Sequence, residues 1–66
     1  MKLIINGEAK IFNEEMTLKR VIEELNLSDK VMAAAVNMEI VKQDNWNSYV
    51  LKESDQLELL DFVGGG

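Results

Sequence analysis

Met16-Thr17-Leu18-Lys19-Arg20-Val21-Ile22-Glu23-Glu24-Leu25-Asn26-Leu27 is the stretch around which the rest of the chain is ordered. Leu18, Val21, Ile22 and Leu25 fall at i, i+3, i+4 and i+7, a spacing that winds them into one apolar stripe along a helix. Lys19, Arg20, Glu23 and Glu24 take the opposite face. Thr17 precedes the stripe and offers a hydroxyl oxygen to a free N–H of the first turn. Met16 is placed to pack on Val21 as a hydrophobic staple. Arg20 holds the position where a capping box wants Glu or Gln, so the cap rests on Thr17. The spacing predicts one helix from Leu18 to about Leu27, ending near Ser28-Asp29.

Upstream, Lys2 to Ile5 is rich in apolar and β-branched residues, and Glu8 to Phe12 alternates in part. Asn6-Gly7 lies between them. This pair favours a type I′ hairpin turn, because both central residues need positive φ. Leu3, Ile5 and Ile11 are the expected inward residues. Downstream, Val31 to Val41 reads two ways. Ala33-Ala34-Ala35 favours helix by propensity. Val31, Val36, Ile40 and Val41 favour strand, and Asn37 is a turn candidate. The pattern leans to strand. Asp44 is then expected to cap a short turn carrying Trp46, with Trp46 and Tyr49 as core anchors.

Tyr49 to Leu51 is a short apolar run, and Glu53-Ser54-Asp55 reads as a turn. Gln56-Leu57-Glu58-Leu59 alternates, which points Leu57 and Leu59 inward. Leu60, Phe62 and Val63 break the apolar alternation and lead into Gly64-Gly65-Gly66. The order is strand, strand, helix, strand, strand, and a helix on one face of a small mixed sheet satisfies it. The fold class is α+β, with residues 1–63 as one domain and 64–66 as a glycine tail.

The composition excludes much. In 66 residues there is no cysteine and no histidine. Disulfides, Cys-based zinc sites and the commonest general base are therefore unavailable. Seven Lys and Arg stand against twelve Asp and Glu. That balance repels nucleic-acid phosphates and suits a partner with a basic face, or simply keeps a small protein in solution. The apolar run Leu3-Ile4-Ile5 is too short for a signal or membrane segment. A cytoplasmic protein without nucleic-acid or membrane partners is expected.

No nucleophile–base set, phosphate-binding glycine loop or metal-ligand cluster stands out. Glu14-Glu15, Glu23-Glu24 and Glu53 with Asp55 pair carboxylates, but on turns and helix faces such pairs are ordinary solvated charge. The tail remains. Glycines have no Cβ, so Gly64, Gly65 and Gly66 can enter a narrow channel and leave the Gly66 carboxylate open to attack. Adenylation would turn that inert carboxylate into a mixed anhydride with AMP as leaving group, and a sulfur nucleophile could then give a thiocarboxylate. Glycine runs are also a usual linker composition. Leu60, Phe62 and Val63 are the candidates for a partner-binding patch beside the tail; the competing expectation is a bulge that turns Leu60 and Phe62 inward.

These segments together resemble the ThiS family of thiamine-biosynthesis sulfur carriers. Ile4-Ile5-Asn6-Gly7-Glu8 is similar to the family's opening hairpin, and Thr17-Leu18 with Val21-Ile22-Glu23-Glu24-Leu25 to its single helix. Ala35-Val36-Asn37-Met38-Glu39-Ile40-Val41 resembles its central motif, and Trp46 falls where an aromatic is common. Leu51-Lys52-Glu53-Ser54-Asp55-Gln56 resembles its last turn, and Phe62-Val63-Gly64-Gly65-Gly66 its ending. Met38 and Ser54 stand where the family commonly has glycine. The resemblance implies the ubiquitin-like β-grasp fold and makes the alanine run a strand. It implies a protein co-substrate and no enzyme, with no bound cofactor. Its partners would be a ThiF-like adenylyltransferase using MgATP, a cysteine desulfurase system and a ThiG-like thiazole synthase.

Three other readings stand behind this one. The small subunit of molybdopterin synthase, MoaD-like, shares the fold and tail but tends to be longer, with prolines before its glycines; this chain has no proline. A ubiquitin-like modifier and a plain β-grasp interaction domain with an incidental tail are the others.

Overall fold

The computed structural model describes residues 1–61, with Asp61 as backbone alone; Phe62, Val63, Gly64, Gly65 and Gly66 lie outside the described residues. Strands β1 (Lys2–Ile5) and β2 (Glu8–Ile11) form a hairpin, followed by helix α1 (Leu18–Glu24). Strands β3 (Val31–Val36) and β4 (Glu39–Ile40) form a second hairpin. A 3-10 turn over Gln43–Asn45 and a long connection lead to β5 (Gln56–Asp61). The strands make one mixed sheet in the order β2-β1-β5-β3-β4. The last strand is therefore central, parallel to β1 and antiparallel to β3.

The apolar stripe does what its spacing requires. Leu18, Val21 and Ile22 are buried against Leu3 and Ile5 of β1, Ala34 and Val36 of β3, and Leu57 of β5. Each large side chain removed from water this way contributes about 1.5–3 kcal/mol. The helix start leaves no donor idle. Thr17 Oγ1 accepts from Arg20 N at 3.2 Å, while Tyr49 O and Trp46 O accept from Leu18 N and Lys19 N. Trp46 is buried, and its indole N–H donates to Val41 O at 2.8 Å, so the one polar group of the ring has a partner.

The helix is shorter than the expected span to Leu27. Asn26 takes a left-handed conformation at φ 60, and the chain closes in a Schellman arrangement, with Leu27 N donating to Ile22 O and Asn26 N to Glu23 O. Leu25 thus sits at the C-cap and is half-buried. Ile11 is 71% exposed, against the inward expectation. The register explains it: Leu3 faces Lys10 and Lys2 faces Ile11, so Ile11 shares the outer face of Lys2. Phe12 is the residue that turns toward the core. Asp44 does not cap its turn; Lys42 is the N-cap and makes no side-chain bond. The run Tyr49 to Leu51 makes only an isolated bridge, Thr17 to Val50, with Leu51 buried and Tyr49 half-buried on the core.

Both hairpin turns use positive φ at two successive residues, Asn6 with Gly7 and Asn37 with Met38. Ser54 also has positive φ, at 68. Met38 and Ser54 thus keep the backbone conformation that glycine would adopt most easily.

Candidate functional site: the open sheet face and the strand that leads to the tail

Helix α1 covers one face of the sheet, and among the described residues the other stays open. Ala34 is buried, so its neighbours Ala33 and Ala35 point to the open face. Cross-strand pairing puts Leu60 beside Ala33, and Ile40 and Glu58 beside Ala35. Ile40 is 73% exposed and Leu60 57%. The two alanines leave a shallow depression between these larger side chains, floored by Ala33 and Ala35 and edged by Glu58. The result is an apolar strip running across β4, β3 and β5, and β5 is the strand that leads into the glycine run.

Leu60 is thus exposed and not turned inward. Strand β5 alternates regularly, with Leu57 buried, Leu59 half-buried and Leu60 out. The irregularity is in β3: Val31 faces Asp61 and Ala33 faces Leu60, so Met32 is the extra residue of a bulge. Met32 is pushed outward, and Val31 and Ala34 both face the core. The other site residues, Phe62, Val63, Gly64, Gly65 and Gly66, lie outside the described residues.

Two asparagines not singled out from sequence for their side chains grip β5 from both sides. Asn6 Oδ1 accepts from Leu59 N at 2.9 Å, and Asn6 Nδ2 donates to Leu59 O at 3.3 Å. Asn37 Oδ1 accepts from Gln56 N at 3.0 Å, and its Nδ2 donates to Asp55 Oδ1 at 2.9 Å. The available signal was asparagine at the first central position of each turn, where it tolerates positive φ and keeps an amide free for a neighbour. Among the described residues, no group of His, Cys, Asp and Glu is placed to hold a metal ion, and no polar side chain is buried without a partner. No helix among them is long and apolar enough to cross a membrane.

A mixed five-stranded sheet wrapped on one helix, with its last strand central and an open apolar face, defines a small ubiquitin-like β-grasp domain. The same fold is seen in the crystal structure of the thiamine biosynthesis protein ThiS from Geobacter metallireducens, with a TM-score of 0.80 at 22% identity and both chains covered in full. The chain belongs to the ThiS family, whose model matches residues 3–66.

Three relatives are similar along the whole chain. The sulfur carrier protein ThiS of Escherichia coli is 26% identical over 66 residues, which is all of both chains. The thiazole synthases of Paramagnetospirillum magneticum and Magnetococcus marinus are 36% and 32% identical over the same length. The chain spans only 20% of each of those two proteins.

Proposed function

We propose that this protein is the sulfur carrier of thiazole formation in thiamine biosynthesis, with the Gly66 carboxylate as its working group. The observation that supports this most is the match over both full lengths to a sulfur carrier protein ThiS. The family match extends to Gly66 itself. The two thiazole synthase relatives, each containing a region similar to this chain, favour the thiazole branch over the molybdopterin one.

In this reading the chain is a co-substrate and catalyses nothing. A carboxylate oxygen of Gly66 attacks the α-phosphorus of MgATP held by a ThiF-like adenylyltransferase. The bond to pyrophosphate breaks, and an acyl adenylate forms. A hydrosulfide equivalent, drawn from a cysteine desulfurase system, then attacks the acyl carbon, and AMP departs with the electron pair of the C–O bond. With a persulfide as nucleophile, the product is an acyl disulfide; a second thiol attacks it, forms a disulfide and releases the thiocarboxylate. A ThiG-like thiazole synthase receives the sulfur. The fold supplies a handle: the open strip with Leu60, together with Phe62 and Val63 that follow in the sequence, for docking, and Gly64 and Gly65 for entry into a narrow channel.

The test is ATP–pyrophosphate exchange with purified ThiF-like enzyme. Exchange dependent on this protein, and lost when one residue is added after Gly66, is the expected result. Exchange that proceeds equally with the lengthened chain contradicts the reading.

A further inference from the structure

Strand β1 pairs with β5 over a short distance. Ile4 faces Gln56 and Ile5 faces Leu57, and the bonds Ile4 N to Asp55 O and Asn6 N to Leu57 O belong to this parallel ladder. In a continuing parallel strand, Leu59 N would donate to the Asn6 main-chain O and Leu59 O would accept from the N–H two residues further on. Strand β1 does not continue in that extended form, because Asn6 and Gly7, at φ 50 and 85, turn the chain back into β2. The Asn6 amide fills the place of both, taking Leu59 N on Oδ1 and giving Nδ2 to Leu59 O. One side chain thus adds a rung to the sheet. On the other flank, β5 is held by β3 through Ala33 opposite Leu60 and Val31 opposite Asp61. The Asn6 rung is the last described support of β5 on its β1 side, three positions before Phe62 in the sequence.

We propose that Asn6 is a positioning residue for the carrier reaction: its amide fixes the direction in which β5 leaves the sheet, and so aims the Gly66 carboxylate once the domain is docked. The inference rests on the carrier reading given above. Docking uses the strip on the open face, which Asn6 does not line. The pairing of Leu60 and Asp61 with β3 outlasts loss of the rung, so the docking surface on that side is kept while the strand end can tilt on its β1 side. A misplacement of about 1 Å at reacting atoms can cost on the order of a hundredfold in rate.

Asn37 provides an internal control. It has the same residue type, the same left-handed backbone and an equivalent bond to a β5 amide, but at Gln56, the start of the strand. Asn6→Gly and Asn37→Gly each keep a turn that accepts positive φ and each delete one amide. The experiment measures ATP–pyrophosphate exchange against carrier concentration for the parent and both variants, with hydrogen exchange of the Leu59 amide beside it. Asn6→Gly is expected to lose Leu59 protection and to lower kcat about tenfold or more, with KM within about threefold of the parent. Asn37→Gly is expected to retain kcat within about twofold, even where it melts as early as Asn6→Gly.

An active parent with unchanged kcat in Asn6→Gly overturns the inference alone. So does an equal fall in kcat for Asn37→Gly, or a rise confined to KM. Exchange absent from the parent itself defeats the carrier reading and this inference with it.

Discussion

Leu60 stands opposite Ala33 across the β3–β5 ladder, on the sheet face that α1 leaves open. The small alanine keeps Leu60 raised, and Ile40 rises on the far side of Ala35. An exposed apolar strip has a cost in solubility, and its position on the strand leading to the glycine run is what supports the docking role proposed for it.

Leu60→Asp and Ile40→Asp are accordingly expected to melt close to the parent and to weaken binding to the activating enzyme. The loss should be about 1–2 kcal/mol each, as for anchors at the centre of an interface. Phe62→Ala should behave the same way. Titration calorimetry alongside thermal melting separates the two effects; a large fall in melting temperature with binding kept would assign these side chains to the core.

At the helix start, Thr17→Ala should destabilise by about 1 kcal/mol, and Thr17→Ser by much less, because the bond from Arg20 N needs only the hydroxyl oxygen. Urea unfolding of both variants measures the difference. Equal losses would mean that Tyr49 O and Trp46 O hold the helix start without the side chain.

The stripe is graded by burial. Ile22 is buried and Leu25, displaced to the C-cap, is half-buried. Ile22→Ala is expected to cost about 2–5 kcal/mol. Leu25→Ala should cost about half that, since less area is removed from water. Reversal of this order in denaturant melts would contradict the early close of the helix at Asn26.

Met38 and Ser54 hold backbone that favours glycine, at φ 72 and 68, and Met38 is 89% exposed. A left-handed residue with a Cβ is strained by about 1–2 kcal/mol, and glycine recovers part of this against the greater freedom it gives the unfolded chain. Met38→Gly and Ser54→Gly should each stabilise by about 0.5 kcal/mol or more. A fall in stability on either change would show that the side chain makes contacts that outweigh the strain.

The helix stripe, the Asn6-Gly7 turn and the inward Leu57 were legible because each depends on local spacing or on one turn's conformational demand. Ile11 was misread because a strand's facing is set by its partner: Lys10, not Ile11, lies opposite buried Leu3. The helix end was misread because Asn26 makes a left-handed cap without glycine. Leu60 could be marked as outward or bulged but not decided, since the bulge belongs to Met32 in the neighbouring strand. The grip of Asn6 on Leu59 spans 53 residues of chain, and no local pattern records it.

The most direct test of the central claim is the intact mass of the protein after incubation with MgATP, a ThiF-like adenylyltransferase and a cysteine desulfurase system. The carrier account predicts the mass gain of one sulfur replacing one oxygen, located by fragmentation to Gly66. It predicts no such gain in a chain lengthened by one residue after Gly66, and little in Gly65→Val, whose branched side chain a narrow channel excludes. An unchanged mass in the parent under conditions where the enzyme adenylates another carrier, or a sulfur found away from Gly66, would contradict it.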